Sequence, residues 1–278
     1  MKRISAIQMC SSHDVDDNLK MAAKLIREAA ANGAALTVLP EMFAIIGMDC
    51  IDKNKLREPF GHGKIQDFLV NEAVKNNIWI VSGTIPIATH ETNKIKAASI
   101  VYDHHGNPVA RYDKIHLFDA VLSGNECYTE SATTEPGHQT VVIDTPVGKL
   151  GLAVCYDIRF SGLFMELFKQ GAEIISLSAA FISKTGQAHW HVLTRSRAIE
   201  HFCYFVGANQ GGFHTNGRET YGHSLIADPW GNIVSEREEA TPGVIYADID
   251  LEKLHAIRAS IPIAAHQRFF INGTCEPN

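Results

Sequence analysis

The sequence alternates short apolar segments with amphipathic helical segments along most of its length. Residues 4–9 and 36–39 are apolar runs typical of strands, and Pro40 ends the second run. Residues 17–31 and 66–75 carry apolar side chains at helical spacing, which predicts two amphipathic helices. Helices that follow strands in this way indicate parallel strand pairs with the helices packed outside the sheet.

Antiparallel hairpins are mixed with these units. Residues 97–102 and 109–112 flank a turn-rich segment, and residues 224–235 show the same pattern. Parallel and antiparallel pairing together predict an α/β protein with mixed sheets and outer helices. No linker, low-complexity tract or repeat divides the sequence, so a single domain over residues 1–278 is expected.

Composition and charge exclude several classes of function. The chain has 278 residues and a formal net charge of −6, which disfavours nucleic acid or an anionic membrane as the main partner. No run reaches the roughly 18 apolar residues of a membrane span, and the amino terminus lacks the pattern of a signal peptide. The six cysteines are scattered without a C-x-x-C pair, which favours a reducing compartment. A cytoplasmic protein is therefore expected.

Cys155 lies where an apolar strand gives way to a helical segment. The strand is predicted over residues 149–154 and the helix over residues 163–170. Partial positive charge at a helix amino terminus stabilises a thiolate, and Arg159 could add to that field. This position allows a nucleophile with a lowered pKa, and the alternative is a buried thiol that only fills space in the core.

Three further side chains are candidates, each with an ordinary alternative. Glu41 directly follows a predicted strand, so it is either a partly buried base or a solvated carboxylate. Lys114 lies among apolar and aromatic residues, so it either holds an oxyanion or is a surface lysine. Glu130 has no local argument beyond its place in a loop.

The sequence contains no recognisable metal or cofactor motif. Fourteen histidines are present, but no H-E-x-x-H pattern or Cys/His zinc spacing occurs. His189 and His191 are two residues apart on a predicted helix, which points their rings in different directions. Residues 61–63 lack the third glycine of a dinucleotide-binding loop. We therefore expect neither a catalytic metal nor a cofactor.

Three motifs resemble the signature blocks of the nitrilase superfamily of carbon–nitrogen hydrolases. They are Leu-Pro-Glu at 39–41, Lys-Ile-His-Leu-Phe-Asp at 114–119 and Gly-Leu-Ala-Val-Cys-Tyr-Asp-Ile-Arg-Phe at 151–160. They occur in the order and at the spacing of that family. Further similar blocks lie at 185–190, 195–200, 221–224 and 228–231, so the resemblance covers essentially the whole chain.

This resemblance implies a fold and a set of catalytic roles. The fold is a four-layer α-β-β-α sandwich that forms a homodimer or a higher homo-oligomer. Cys155 would be the nucleophile, Glu41 the general base and Lys114 the stabiliser of the tetrahedral intermediate, together with the backbone N–H of Tyr156. Glu130 matches the second glutamate of the family, which helps to position the substrate and the charges around the site.

The residues after the cysteine indicate the branch of the family. Nitrile-hydrolysing members typically carry Trp-Glu there, whereas this chain has Tyr156-Asp157 and resembles the Nit branch. That branch hydrolyses the side-chain amide of small carboxylate-bearing compounds to acid and ammonia, and the candidates are deaminated glutathione and the ω-amides of 2-oxo acids. Arg159 would bind the substrate carboxylate, unless it is held in an ion pair with Asp157 or another acid. Specificity is expected to lie in the loops 44–59 and 123–136.

Two other functions stay open at this point. One is hydrolysis of another amide or of a carbamoyl compound. The other is a non-catalytic binding protein that retains the fold, because Ser161-Gly162 replaces the Pro-Glu that the family usually has after Arg-Phe. The start of the following helix thereby loses a proline and a carboxylate, which is expected to loosen Arg159 or to alter what binds beside it.

Overall fold

The computed structural model describes residues 1–49, 51–91, 93–122 and 127–268. The described strands are β1 (Lys2–Gln8), β2 (Ala34–Val38), β3 (Trp79–Val81), β4 (Ile85–Ala88), β5 (Ile95–Tyr102), β6 (Pro108–Asp113), β7 (Asp119–Val121), β8 (Cys127–Thr129), β9 (Val142–Thr145), β10 (Gly148–Val154), β11 (Ile174–Ala179), β12 (Tyr204–Asn209), β13 (Gly211–Phe213), β14 (Glu219–Tyr221), β15 (Leu225–Ala227), β16 (Ile233–Glu236) and β17 (Gly243–Ile249). The described helices are α1 (Val15–Ala31), α2 (Asp52–Lys55), α3 (Lys64–Asn76), α4 (Ser161–Lys169), α5 (Ser183–His201), α6 (Leu251–Ser260) and α7 (Ile263–His266), with 3-10 helices at Glu130–Ala132 and Cys155–Arg159.

Two mixed sheets form the centre of the fold. The first has the order β17-β1-β2-β3-β5-β4, with β6 also paired to β5, and its strands β1, β2 and β3 are parallel. The second has the order β16-β15-β12-β11-β10-β9, and its strands β10, β11 and β12 are parallel. Antiparallel strands complete both sheets. The predicted mixture of parallel and antiparallel pairing is confirmed.

The two sheets pack face to face and the helices cover their outer faces. Alternate residues of the strands point inward, so that Ile4 and Leu36 of the first sheet share a buried cluster with Leu152 and Val206 of the second. The outer face of the first sheet packs against α1 and α3, and the outer face of the second packs against α4 and α5. This arrangement confirms the α/β class and the α-β-β-α layers. None of the described helices combines the length and apolar character that crossing a membrane requires.

The carboxyl ends of strands from both sheets meet on one side of the molecule. Cys155 directly follows β10, Ala180 directly follows β11, and Glu41 lies three residues after the end of β2. Lys114 directly follows β6. Ligand sites of α/β proteins usually lie at such an edge, because the loops that leave the strands converge there. The fold therefore brings together four segments that are far apart in the sequence.

Candidate active site

A cavity of about 490 Å³ opens at this edge of the two sheets. Its lining includes the four residues expected to be catalytic: Glu41, Lys114, Glu130 and Cys155. It also includes the expected substrate-binding residues Tyr156 and Arg159. The structure thus places every predicted site residue around one space that is large enough for a small molecule.

A buried ionic network of two glutamates and one lysine lies at the floor of the cavity. The Nζ atom of Lys114 donates to Oε1 of Glu41 and to Oε2 of Glu130, both at 2.8 Å. The side chains of Lys114 and Glu41 are only 2% and 6% exposed, so neither is the solvated group that the local sequence also allowed. Oε2 of Glu130 accepts a second hydrogen bond from the backbone N–H of Phe118 at 2.8 Å, which fixes the carboxylate.

The charges of this network stabilise one another. Burial lowers the pKa of Lys114, but the carboxylates of Glu130 and Glu41 outweigh burial and raise the pKa well above its ordinary value. Burial by itself raises the pKa of Glu130. The neighbouring ammonium of Lys114 acts in the opposite direction, and the pKa lies below its ordinary value. Lys114 is therefore a cation and Glu130 an anion at neutral pH.

The position of Glu41 is fixed through its side chain and its backbone. Oε2 accepts a hydrogen bond from the backbone N–H of Ala180 at 3.0 Å, and the carbonyl of Glu41 accepts one from Nε2 of Gln210 at 3.0 Å. Gly83 packs closely against Pro40, the residue before Glu41. A Cβ added at Gly83 would lie 2.1 Å from the carbonyl oxygen of Pro40. These contacts tie the carboxylate to both sheets.

Cys155 occupies a strained position between β10 and the 3-10 helix that it begins. Its φ angle is 45°, in the left-handed region that costs energy for residues other than glycine. The fully buried Asp157 holds this turn, because Oδ2 accepts hydrogen bonds from the backbone N–H of Val154 at 2.8 Å and from the hydroxyl of Tyr112 at 2.7 Å. Oδ1 of Asp157 accepts a hydrogen bond from the backbone N–H of His116 at 3.1 Å.

The expectation of a lowered cysteine pKa is wrong. Burial, followed by the Glu41 carboxylate, raises the pKa of Cys155 well above its ordinary value. Lys114 and the backbone N–H of Ala180 act in the opposite direction but do not compensate. The helix that begins at Cys155 is a short 3-10 segment, so its dipole is weak compared with desolvation and a neighbouring anion. The resting thiol is therefore protonated and next to a base.

Arg159 lies on the wall of the cavity and does not pair with Asp157. Its guanidinium contacts Nδ1 of His189 at 3.3 Å and lies 5.3 Å from the ring centroid of Phe181. It also lies 5.9 Å from the ring centroid of Tyr156. Asp157 instead points into the core, where its oxygens accept the hydrogen bonds described above. The ion pair between Arg159 and Asp157, which the sequence allowed, is therefore not formed.

The replacement of Pro-Glu by Ser161-Gly162 leaves the helix start in place. The helix α4 begins at Ser161, and Arg159 belongs to the preceding 3-10 helix. A Cβ added at Gly162 would meet no atom within 4 Å, so no packing contact depends on a larger side chain there. The helix therefore begins at this position without the proline.

Two cations of the cavity lining were not identified from the sequence. Lys53 lies in the expected specificity loop 44–59, and its Nζ donates to Oγ1 of Thr134 at 2.9 Å. Arg218 lies between β13 and β14, donates from Nη2 to the carbonyl of Ala180 at 2.7 Å, and lies 5.5 Å from the ring centroid of Tyr128. Its Nε is buried without a hydrogen-bond partner among the described residues.

One signal in the sequence, the predicted specificity loop 44–59, pointed toward these two cations, and it applies only to Lys53. The predicted loops 44–59 and 123–136 do contribute to the cavity, but residues 50 and 123–126 lie outside the described residues. Arg218 belongs to neither loop, and a lone arginine in a turn-rich segment carries no local pattern that marks a binding site.

Comparison with known proteins finds similarity over nearly the whole chain. Residues 3–259 match the carbon-nitrogen hydrolase family model. The chain is 40% identical over 269 residues to the deaminated glutathione amidase of Bos taurus, covering 95% of this chain and 81% of that protein. It is 38% identical over 268 residues to the deaminated glutathione amidase of Yersinia enterocolitica, covering 96% of this chain and 93% of that protein.

A solved structure is similar over nearly the whole chain. It is Nit3 of Saccharomyces cerevisiae, a member of branch 10 of the nitrilase superfamily, with a TM-score of 0.86 and 33% identity over 96% of this chain and 97% of that one. These similarities confirm the predicted family, the fold and the class of enzyme, an amidase that acts on a carbon–nitrogen bond. The chain belongs to the carbon–nitrogen hydrolase family.

Proposed function

We propose that this chain is a cysteine amidase that cleaves a small amide carrying two carboxylates, with deaminated glutathione as the leading candidate. The observation that carries the proposal is the division of one cavity into two parts. Its floor holds Cys155 beside the buried network of Glu41, Lys114 and Glu130. Its wall presents three further cations.

The floor can perform acylation without a preformed thiolate. As Sγ of Cys155 attacks the amide carbon, Glu41 accepts the thiol proton and the carbonyl electron pair moves onto oxygen. The ammonium of Lys114 and the backbone N–H of Tyr156 stabilise this oxyanion, since the first N–H groups of a helix have no acceptor within it. When the intermediate collapses, the C–N bond breaks, and Glu41 returns its proton to the leaving nitrogen.

Hydrolysis of the thioester uses the same groups in the same order. Glu41 accepts a proton from water as the water oxygen attacks the thioester carbon, and the C–S bond then breaks. The thiolate of Cys155 regains the proton from Glu41, which restores the starting state. Glu130 contributes by holding Lys114 in position and by keeping it charged.

The cations of the wall favour a substrate with more than one carboxylate. Arg159 and Arg218 contact aromatic rings, an imidazole nitrogen and a carbonyl, so their positive charge is available to an anionic ligand. Lys53 adds a third positive charge to the lining. Deaminated glutathione has two carboxylates, whereas the ω-amide of a 2-oxo acid has one. The amide nitrogen of deaminated glutathione belongs to cysteinylglycine, so this amine would leave in place of ammonia.

Two observations bear on the assembly and the location of the enzyme: the family resemblance and the cysteine pattern. A homodimer in the cytoplasm fits that resemblance and the scattered cysteines. Light scattering after size-exclusion chromatography would test the assembly, and cell fractionation would test the location.

The proposal is tested by comparing three amides. We would measure kcat/KM for deaminated glutathione, 2-oxoglutaramate and a simple carboxylate-free amide, following the amine, the ammonia and the acid that are released. The expected order is highest for deaminated glutathione and lowest for the carboxylate-free amide. Equal values for all three would contradict the role of the wall cations.

A matched pair of cysteine variants tests the nucleophile. Cys155→Ser should abolish turnover of every substrate. Cys203→Ser is the control, because Cys203 is also buried with a raised pKa but does not line the cavity. Activity that survives in Cys155→Ser, or that is lost equally in both variants, would contradict the assignment.

A further inference from the structure

A second cluster of chemically active side chains lies outside the catalytic cavity. His191 of α5, His223 of the loop before β15 and Glu236 at the end of β16 meet around one carboxylate oxygen. Nε2 of His191 and Nδ1 of His223 each lie 2.7 Å from Oε1 of Glu236. None of the three residues lines the catalytic cavity, and the proposed amidase mechanism uses none of them.

The cluster is held by a rigid framework. His223 has a φ angle of 52°, its ring stacks on Tyr221 with the centroids 4.3 Å apart, and its carbonyl accepts a hydrogen bond from Nε1 of Trp190 at 2.7 Å. Trp190 is fully buried and precedes His191 in α5, so the same helix holds the backbone of one histidine and supplies the other. The two rings are therefore oriented before any ligand arrives.

The atoms present a suitable set of ligands for a zinc-type cation. Two imidazole nitrogens and one carboxylate oxygen match the His and Glu ligands that zinc takes in proteins. All three ligand atoms lie within 4.8 Å of one another. Zinc bonds of about 2.0–2.2 Å in tetrahedral geometry separate neighbouring ligand atoms by about 3.3–3.5 Å. The 2.7 Å contacts must therefore widen by about 0.6–0.8 Å, which a small rotation of Glu236 at the strand end can supply.

The cluster is also accessible from solvent. The side chains of His191, His223 and Glu236 are 32%, 26% and 18% exposed, which leaves one side open for a water ligand. Each neutral imidazole can bind the cation through the nitrogen that faces Glu236 and carry its proton on the other nitrogen. Among the described residues, this is the one group of three such side chains with ligand atoms so close together.

We propose that His191, His223 and Glu236 form a binding site for a divalent cation of the zinc class, separate from the catalytic cavity. The bound cation links α5 to the loop before β15 and to the edge strand β16. The cation thereby fastens α5 to the second sheet and increases the stability of the folded protein.

Cobalt binding to the purified, metal-free full-length protein tests this site. Co²⁺ replaces Zn²⁺ in such sites, and its visible spectrum distinguishes nitrogen and oxygen ligands from thiolates. We expect one Co²⁺ per chain with weak ligand-field bands, no thiolate charge-transfer band, and a higher Tm for the bound protein. A thiolate band would place the ion at a cysteine and would overturn the proposal, as would the absence of binding below about millimolar Co²⁺.

Two independent variants and one matched control locate the ion. Glu236→Gln and His223→Asn should each weaken Co²⁺ binding by more than about 100-fold, because a lost ligand costs more than a lost outer-shell partner. Asparagine tolerates the left-handed backbone at position 223. His255→Gln is the control: His255 pairs with Glu173 and is not part of the cluster, so this variant should leave binding unchanged. Unaltered affinity in Glu236→Gln and His223→Asn, with wild-type circular dichroism, would overturn the site.

Discussion

The floor and the wall of the catalytic cavity hold their charges in different ways. On the floor, the buried ammonium of Lys114 is bonded to the carboxylates of Glu41 and Glu130, so each of these charges has an opposite charge as its partner. On the wall, Arg159 and Arg218 are half-buried and contact rings, an imidazole and a carbonyl. The floor is thus organised internally, whereas the wall still has positive charge to offer to a ligand.

Because of this difference, substitutions on the floor and on the wall should differ in their effects on folding and on substrate binding. A buried charge that loses its partner costs several kcal/mol, so substitutions on the floor should affect both folding and chemistry. A half-exposed cation is solvated in the free protein, so its replacement should change substrate binding and leave folding nearly intact. Four substitutions test this separation.

The largest effect is expected from Glu41→Gln. The amide has nearly the same shape but cannot accept the thiol proton, so kcat for deaminated glutathione should fall by about 10³-fold, with KM changed only a few-fold. Steady-state kinetics measure both constants, and the surface variant Glu252→Gln is the control. A kcat within about tenfold of the wild type would show that Glu41 is not the base.

Lys114→Met should be the most destabilising substitution on the floor. It leaves the carboxylates of Glu41 and Glu130 buried without their cation, at a cost of about 3–5 kcal/mol in the free energy of unfolding. Without the Lys114 cation, burial should raise the pKa of the Glu130 carboxyl above its unfolded value, so the loss grows with rising pH and shrinks in acid. Urea unfolding at pH 5 and pH 8 measures this, with the exposed Lys149→Met as control. An equal loss at both pH values would contradict the electrostatic explanation.

Asp157→Asn tests whether the strained turn at Cys155 is held by the buried carboxylate. Asparagine has one acceptor oxygen, so some of the donors from Val154, Tyr112 and His116 would lose their partner. The expected cost is about 2 kcal/mol in the free energy of unfolding, with a lower kcat from a misplaced thiol. Thermal unfolding and kinetics measure the two effects, and the exposed Asp144→Asn is the control. A wild-type kcat would show that the turn does not need this carboxylate.

Arg218→Met should have the smallest effect, and chiefly on binding. Loss of one charged contact should raise KM for deaminated glutathione by about tenfold, which is about 1.4 kcal/mol. The carboxylate-free amide should be unaffected, and the free energy of unfolding should fall by about 1 kcal/mol, the cost of the lost hydrogen bond to the carbonyl of Ala180. The exposed Arg27→Met provides the control. An equal rise in KM for the carboxylate-free amide would show that Arg218 shapes the cavity and does not bind a carboxylate.

The regular elements of the fold could be predicted because their signals are local. The helices predicted over residues 17–31 and 66–75 are observed at Val15–Ala31 and Lys64–Asn76, since apolar side chains at helical spacing mark the buried face directly. The short strand pairs β7–β8 and β13–β14 were not predicted. Each strand has only three residues, too few for an alternating pattern to emerge.

From the amino-acid sequence by itself, hydrophobic periodicity predicted mixed sheets with outer helices, because periodicity is a local property of the chain. The resemblance of its motifs to the family implied the four layers and the nucleophile Cys155. Only the tertiary structure decided which charges meet. Glu41 contacts Lys114 across 73 residues of sequence and Ala180 across 139. Burial beside Glu41 reversed the direction expected for the pKa of Cys155, and the fold placed Arg218 in the cavity. Desolvation and Coulomb interactions depend on distance in space, which no local pattern records.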